Sequence, residues 1–311
     1  MSTTRSPLTT GRRRRPGDKV FSGTATASAV LILVVLAGVG LFLLAEAFPA
    51  LTAPAEDIEG GEGLVLYLWP LLFGTLLTAV IAMVVAVPIA VGIALFISHY
   101  APRRLSQGLG YAVDLLAAVP SIVYGFWGLQ VFSVSLVPMY VWLEDNLGFL
   151  PFFAGPASAT GRTILTASLV LAVMILPIIS ALSREVFLQT PRLHEEAAMA
   201  LGATRWEMIK YAVIPYGRSG VISASMLGLG RALGETMAVA LVLSVSGGVS
   251  FNLINSGNPA TLAAEIALQF PEATGLRLST LIAAGLLLFL VTFVVNFGAR
   301  ALVTRQKGGS L

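Results

Sequence analysis

The sequence contains no cysteine and only two histidines, and both shortages exclude classes of site. Without cysteine there is no disulfide framework and no thiolate ligand for a metal ion. His99 and His194 are far apart in sequence, so a histidine metal cluster is not expected. Charged residues make up 11% of the chain, against about 25% in soluble domains. Water is therefore not the main solvent of this protein.

The net charge of +3 is small and has no nucleic-acid-binding pattern. A block of arginines at 12–15 stands near the N-terminus, but no basic face is interleaved with aromatic residues. No nucleic acid partner is expected. A phosphate-cradling Walker A loop is also absent: the nearest run, Gly155 to Gly161-Arg162-Thr163, is one residue too long and has Arg in place of Lys. Energy for any transport must come from a partner or a gradient.

Long apolar runs dominate the chain, and about 20 such residues suffice to cross a bilayer. We predict an all-α integral membrane protein with six spans. Their approximate bounds are 25–48, 64–97, 109–134, 163–183, 221–246 and 278–299. Residues 1–20 are predicted to be a disordered basic tail, 21–65 the first span with an outer loop, 66–305 the domain that holds the other five spans, and 306–311 a second tail.

The distribution of basic residues predicts the orientation, because Lys and Arg are retained on the cytoplasmic side. With the N-terminus inside, sixteen of the nineteen Lys and Arg residues lie in the cytoplasmic tails and gaps. The outer gaps are mainly acidic, and their basic residues are Arg162 and Arg277. Both termini are predicted to be cytoplasmic. An alternative is that the first span is a signal peptide cleaved near Ala53-Pro54-Ala55.

The inner connection between the fourth and fifth predicted spans is expected to fold as two short helices with a sharp bend. Thr190, followed by proline, is a helix-start signal, and Gly202 is a helix stop. Thr204 with Glu207 three residues later is a capping box that opens the second helix. This helix is predicted to end near Pro215.

Two opposite charges, Arg231 and Glu235, lie within the fifth predicted span. Each alone costs about 2.5 to 3.5 kcal/mol at mid-membrane, so both should face the protein interior or a water-filled path. Four residues apart on one helix face, they could form a structural ion pair. Alternatively Arg231 faces the pathway and binds an anion, since guanidinium pairs with phosphate oxygens through two parallel hydrogen bonds. Glu235 would then prevent permanent capture of that anion.

The inner connection resembles the EAA loop of binding-protein-dependent ABC importer permeases. The matching positions, within about 188–216, are Glu196, Ala197, Ala198, Gly202 and Pro215. The resemblance implies the type I permease fold and a helix that docks into a cytoplasmic ATPase. The alternative is an ordinary amphipathic helix on the inner membrane surface.

Two further runs, Gly230–Ala238 and Val119–Gly128, closely resemble phosphate-specific transport permeases of the PstC type. This resemblance covers about residues 66–305. It implies a permease subunit in a bacterial inner membrane that imports inorganic phosphate and forms half of the pathway. The implied partners are a second permease of the PstA type, a PstB-type ATPase dimer that binds the ATP, and an extracytoplasmic PstS-type binding protein. In such proteins Arg231 and Glu235 correspond to the charged membrane residues linked to transport.

Other readings remain open at the sequence level. A permease for another oxyanion, such as molybdate or sulfate, would share the same residue chemistry, and a secondary transporter would use a gradient without an ATPase. A membrane-embedded enzyme is disfavoured because the spans contain no clustered Ser/His, paired acids or metal ligands.

Overall fold

The structure, a computed structural model, describes residues 16–58, 60–246 and 248–307 and is almost entirely helical in these ranges. One isolated parallel bridge joins Val245 and Asn258. The α-helices are α1 (Pro16–Thr52), α2 (Leu64–Leu95), α3 (Arg103–Ala117), α4 (Ser121–Trp127), α5 (Ser133–Leu147), α6 (Ile164–Leu188), α7 (Arg192–Ala200), α8 (Arg205–Met208), α9 (Ile214–Leu233), α10 (Met237–Val242), α11 (Leu262–Gln269) and α12 (Gly275–Lys307). The predicted all-α membrane class is confirmed.

Five of the described helical segments are long and apolar enough to cross a membrane: Gly17–Thr52, Leu64–Tyr100, Ser121–Leu147, Ile164–Leu188 and Gly275–Gly298. The chain divides into two compact units between Ala45 and Glu46, inside α1. In the first unit, α1 begins at Pro16, so the last residues of the predicted tail are helical. Residues 1–15 and 308–311, the rest of the two predicted tails, lie outside the described residues.

The core of the second unit is built around α6, which packs between α2 and α9. The face of α2 toward this core is a stripe of alanines at helical spacing, all at most 1% exposed: Ala79, Ala82, Ala86, Ala90 and Ala94. Such small side chains let two membrane helices approach closely. Because the hydrophobic effect does not drive helices together in lipid, the dispersion contacts at this short distance stabilise the pair. From α6, Ile175 and Ile179 are fully buried in this interface.

The predicted third span, 109–134, is wrong in its bounds. Helix α3 ends at Ala117, and a new helical segment runs from Ser121 to Leu147. Pro120 causes the interruption, because the ring disfavours helical backbone at the residue before it. Oδ2 of Asp114 on α3 lies 3.6 Å from Nη2 of Arg184 on α6, an ion pair that joins the two helices.

Candidate functional site

The fifth predicted span is interrupted between its two charged residues. Helix α9 ends at Leu233, Gly234 is its C-cap, and α10 begins only at Met237. The expectation that Arg231 and Glu235 share one continuous helix face is therefore wrong. Non-helical backbone at membrane depth is tolerated only where it is buried in protein or lines a water-filled cavity. The break thus marks a position inside the bundle or on a pathway.

Glu235 is held by the start of α10. Its side chain is buried, with the residue 8% exposed, and its Oε1 accepts a hydrogen bond from the Ala238 backbone N at 3.2 Å. A carboxylate at a helix N-terminus satisfies free amides and is stabilised by the helix dipole. Glu235 therefore fixes α10 at the break.

Arg231 is half-buried, and its Nε is buried without a hydrogen-bond partner. Among the ion pairs of the described residues, none joins Arg231 to Glu235 within 4.0 Å. The structural ion pair is thus not formed here. A buried guanidinium donor without an acceptor is costly, and an oxyanion would supply the missing acceptor.

The two sequence runs that resemble phosphate permeases pack on each other. Along one face of α4 and the π-helical turn after it, Gly125 lies against Ala238 and Leu241, and Gly128 lies against Val242 and Val170. The Tyr124 hydroxyl of the same run donates to the Leu116 carbonyl at 2.9 Å and so ties α4 to α3. The run at 119–128 therefore supports the broken segment that carries Arg231 and Glu235.

A side chain at Gly125 should destabilise this packing. A Cβ there would lie 2.9 Å from both Ala238 Cα and Leu241 Cδ1, so backbone must shift. We expect Gly125→Val to lower the free energy of unfolding by about 1–3 kcal/mol, as overpacking typically does. The thermal unfolding midpoint in detergent measures this. Gly92→Val is the matched control, since a Cβ at Gly92 meets nothing within 4 Å. Equal effects of the two substitutions would contradict the packing role.

The inner connection folds into a sharp corner, as predicted. Gly202 has φ +86, and a Schellman pair ends α7: Gly202 N donates to Met199 O at 3.0 Å and Ala203 N to Ala198 O at 3.2 Å. The capping box of Thr204 and Glu207 is present, and its hydrogen bonds to the carboxylate lower the pKa of Glu207. The predicted start of α7 is wrong in detail. Pro191 is the N-cap, and the buried Thr190 Oγ1 has no partner.

The surface of this corner is apolar and exposed. Leu193 is 73% exposed and Leu201 90%, with Met199 and Trp206 also exposed. Of the predicted docking residues, Glu196 and Ala197 are exposed, whereas Ala198 packs against a cluster that contains Phe187 and Ile209. Oε1 of the neighbouring Glu195 lies 3.6 Å from Nε2 of His99, in the π-helical turn that follows α2. Several large apolar side chains exposed at one corner are typical of a contact with another protein.

The prediction that the second helix ends near Pro215 is wrong. The chain stays helical from Arg205 to Leu233, through α8, a π-helical turn at Ile209–Val213 and α9. Proline removes one helical donor and clashes with the preceding turn. The π turn, closed by Ile214 N donating to Ile209 O, immediately precedes this site. The corner at Gly202 and the break at Gly234 therefore stand at opposite ends of one helix about 40 Å long.

Most of the chain matches a known protein family. Residues 86–308 match the family described as "Binding-protein-dependent transport system inner membrane component". The chain is 45% identical over 310 residues to phosphate transport system permease protein PstC 2 of Mycobacterium tuberculosis, covering 96% of this chain and 95% of that protein. It is 44% identical over 304 residues to the phosphate transport system permease protein PstC of Mycobacterium leprae, covering 94% and 95%.

Solved structures share the fold at low sequence identity. A bacterial alginate ABC transporter, in complex with an alginate pentasaccharide-bound periplasmic protein, matches with a TM-score of 0.60 at 16% identity, covering 93% of this chain and 95% of that chain. This likeness supports the type I importer permease fold. Within the described residues, no group of three His, Cys, Asp or Glu side chains is placed to hold a metal ion.

Proposed function

The chain belongs to the family of binding-protein-dependent transport system inner membrane components, and from this premise we propose that it is the permease subunit of an ATP-driven phosphate importer. It forms half of the translocation pathway of that complex. The observation that carries the choice of phosphate is the similarity, over nearly the whole chain, to permeases named for phosphate transport. The half-buried, unpartnered guanidinium of Arg231 fits an anionic substrate.

Arg231 and Glu235 are proposed as the transport pair. Arg231 binds the passing anion by charge-assisted hydrogen bonds that its Nε lacks in this conformation. Glu235, fixed at the start of α10, places a negative charge on the same broken segment and limits how long the anion stays. The positive group at the helix break binds the anion, and the nearby negative group keeps this binding reversible.

The corner around Gly202 is proposed as the ATPase-coupling segment, with Glu196, Ala197, Ala198, Gly202 and Pro215. Its exposed apolar residues suit a protein partner, which we take to be one subunit of a PstB-type ATPase dimer. The continuous helix from Arg205 to Leu233 connects this contact to the break beside Arg231. Movement of the corner by the ATPase is thereby passed to the substrate-binding segment.

The remaining partners and the orientation follow the same proposal. A second permease of the PstA type completes the pathway, and an extracytoplasmic PstS-type protein delivers phosphate. Both termini and the Gly202 corner face the cytoplasm of a bacterial inner membrane, because most Lys and Arg residues lie on that side. The chain has no ATP site of its own in this scheme, and the ATPase subunits bind the nucleotide.

Transport by the reconstituted complex tests the proposal. Proteoliposomes that contain the two permeases and the ATPase dimer should accumulate labelled phosphate only with ATP and the phosphate-loaded binding protein. Excess unlabelled phosphate should compete, whereas molybdate and sulfate should not. Uptake of molybdate or sulfate in place of phosphate would overturn the substrate. Accumulation by this chain alone, driven by a proton or sodium gradient, would overturn the transporter class.

A further inference from the structure

Arg162, just before the start of α6, has a buried Nε atom without a hydrogen-bond partner, as Arg231 has. Among the described residues, four buried side-chain N or O atoms have no hydrogen-bond partner. Two are the hydroxyls of Ser183 and Thr190, and the other two are the Nε atoms of Arg162 and Arg231. Native structures leave few buried donors unsatisfied, so each needs an explanation.

The environment of Arg162 leaves its charge uncompensated. Its Nη2 donates to two backbone carbonyls at the C-terminal end of α10, Leu241 O at 3.4 Å and Leu243 O at 3.2 Å. These long contacts place the cation where the helix dipole is negative. Among the ion pairs of residues 16–58, 60–246 and 248–307, no carboxylate lies within 4.0 Å of it. The carbonyl contacts hold the guanidinium in place, but they leave its buried Nε without an acceptor.

Arg162 and the transport pair are connected by α10. Glu235 holds the first turn of this helix through Ala238 N, and Arg162 contacts its last turn. Six residues of α-helix rise about 9 Å, so the two arginine-bearing segments meet the same short element at its two ends. In the proposed orientation Arg162 lies on the extracytoplasmic side, and Arg231 lies deeper in the membrane.

We propose that Arg162 is a second anion-binding station of the pathway, which receives phosphate at the outer end of α10 before it reaches Arg231. This inference rests on the proposed phosphate import. The outer gaps are mainly acidic, and an anion entering there needs a local cation to offset their field. Phosphate oxygens would satisfy the buried Nε.

Substitution of Arg162 in the reconstituted complex tests this role. Gln removes the charge of Arg162 and keeps an amide donor, so R162Q tests whether uptake depends on the charge. We expect phosphate uptake at saturating loaded binding protein to fall by about tenfold or more, the effect of one charge-assisted contact. R162K, which keeps the charge, should retain at least about a third of wild-type uptake, because Lys also binds phosphate as a point charge.

Arg277 offers a matched control. It is an exposed arginine at the start of α12, on the same side in the proposed orientation, and its Nη2 donates to Gln269 Oε1 at 2.6 Å. R277Q should leave uptake within about twofold of wild type, since screened surface charges contribute little. Wild-type uptake by R162Q, or equal losses in R162Q and R277Q, overturns the station while leaving phosphate import intact. A wild-type complex that imports no phosphate overturns both proposals.

Chemical protection decides the question even if R162Q fails to assemble. Glyoxal modifies guanidinium groups, and peptide mass spectrometry of the wild-type complex measures the modification rate at each arginine. Millimolar inorganic phosphate, without binding protein, should slow modification of Arg162 but not of Arg277. No protection of Arg162 overturns the proposal. So does an Arg162 that glyoxal never reaches, because phosphate is of similar size.

Discussion

Replacing Arg231 with glutamine is expected to reduce ATP-driven phosphate uptake by about a hundredfold while the complex still assembles. The charge-assisted hydrogen bonds that guanidinium makes to an oxyanion are worth about 1.5–3 kcal/mol each, and 1.4 kcal/mol is a factor of ten. In this structure Arg231 has no ion pair to Glu235 within 4.0 Å, so its replacement does not remove an ion-pair partner from Glu235. Labelled phosphate uptake into proteoliposomes measures the effect, and co-purification of the subunits measures assembly.

A control on the same helix separates pathway from packing. Arg218 is an exposed residue near the start of α9, whereas the break lies at the end of this helix. R218Q makes the same chemical change as R231Q. We expect R218Q to keep uptake within about twofold, the small effect typical of exposed charges. If R231Q instead prevents assembly while R218Q does not, Arg231 is a structural residue and the pathway role is wrong.

Glu235→Gln distinguishes the two roles of the carboxylate. Glutamine keeps a side-chain oxygen that can accept from Ala238 N, so the start of α10 stays capped. If the charge limits the residence of the anion on Arg231, uptake should fall by about tenfold, as expected for a lost charged contact. Uptake at the wild-type rate would reduce Glu235 to a helix cap.

Local signals in the sequence were sufficient to predict the backbone corner at Gly202. A glycine required at φ +86 and a Thr-x-x-Glu box determine backbone geometry within a few residues, so Gly202 and Thr204 could be assigned without tertiary information. The predicted helix end near Pro215 is wrong because the π turn at 209–213 lets the helix continue through the proline. That turn depends on packing of Ile209 and Val213 in the core, which no local pattern reports.

Only part of the proposed transport site could be predicted from the sequence. Charge in an apolar run identifies Arg231 and Glu235, because such residues are costly in lipid. Hydropathy does not reveal the break at Gly234, because the run at 221–246 that contains it is mainly apolar and isolated glycines are tolerated in helices. Arg162 was recognisable only as a basic residue at an outer edge. Its contact with Leu241 and Leu243 spans about 80 residues of sequence and arises from the way α6 and α10 meet.

The second large effect is expected at Gly202, where a branched side chain should uncouple ATP hydrolysis from uptake. Nothing lies within 4 Å of a Cβ built there, so the penalty of Gly202→Val comes from backbone and not from collision. A side chain at φ +86 costs about 1–2 kcal/mol, enough to shift the corner away from this geometry in most molecules. Phosphate imported per ATP hydrolysed should fall by about tenfold, while membrane insertion and the thermal midpoint change little.

Gly248→Val provides the matched control for this strain. Gly248 has φ +85 and equally open surroundings, but it lies in the connection between α10 and α11 and outside the α7–α8 corner. The same substitution there imposes the same backbone cost without moving α7. Because the helix from Arg205 to Leu233 links the corner to Arg231, only the change at Gly202 should alter the coupling ratio. Normal coupling in G202V, or equal uncoupling in both variants, would remove the ATPase contact from this corner.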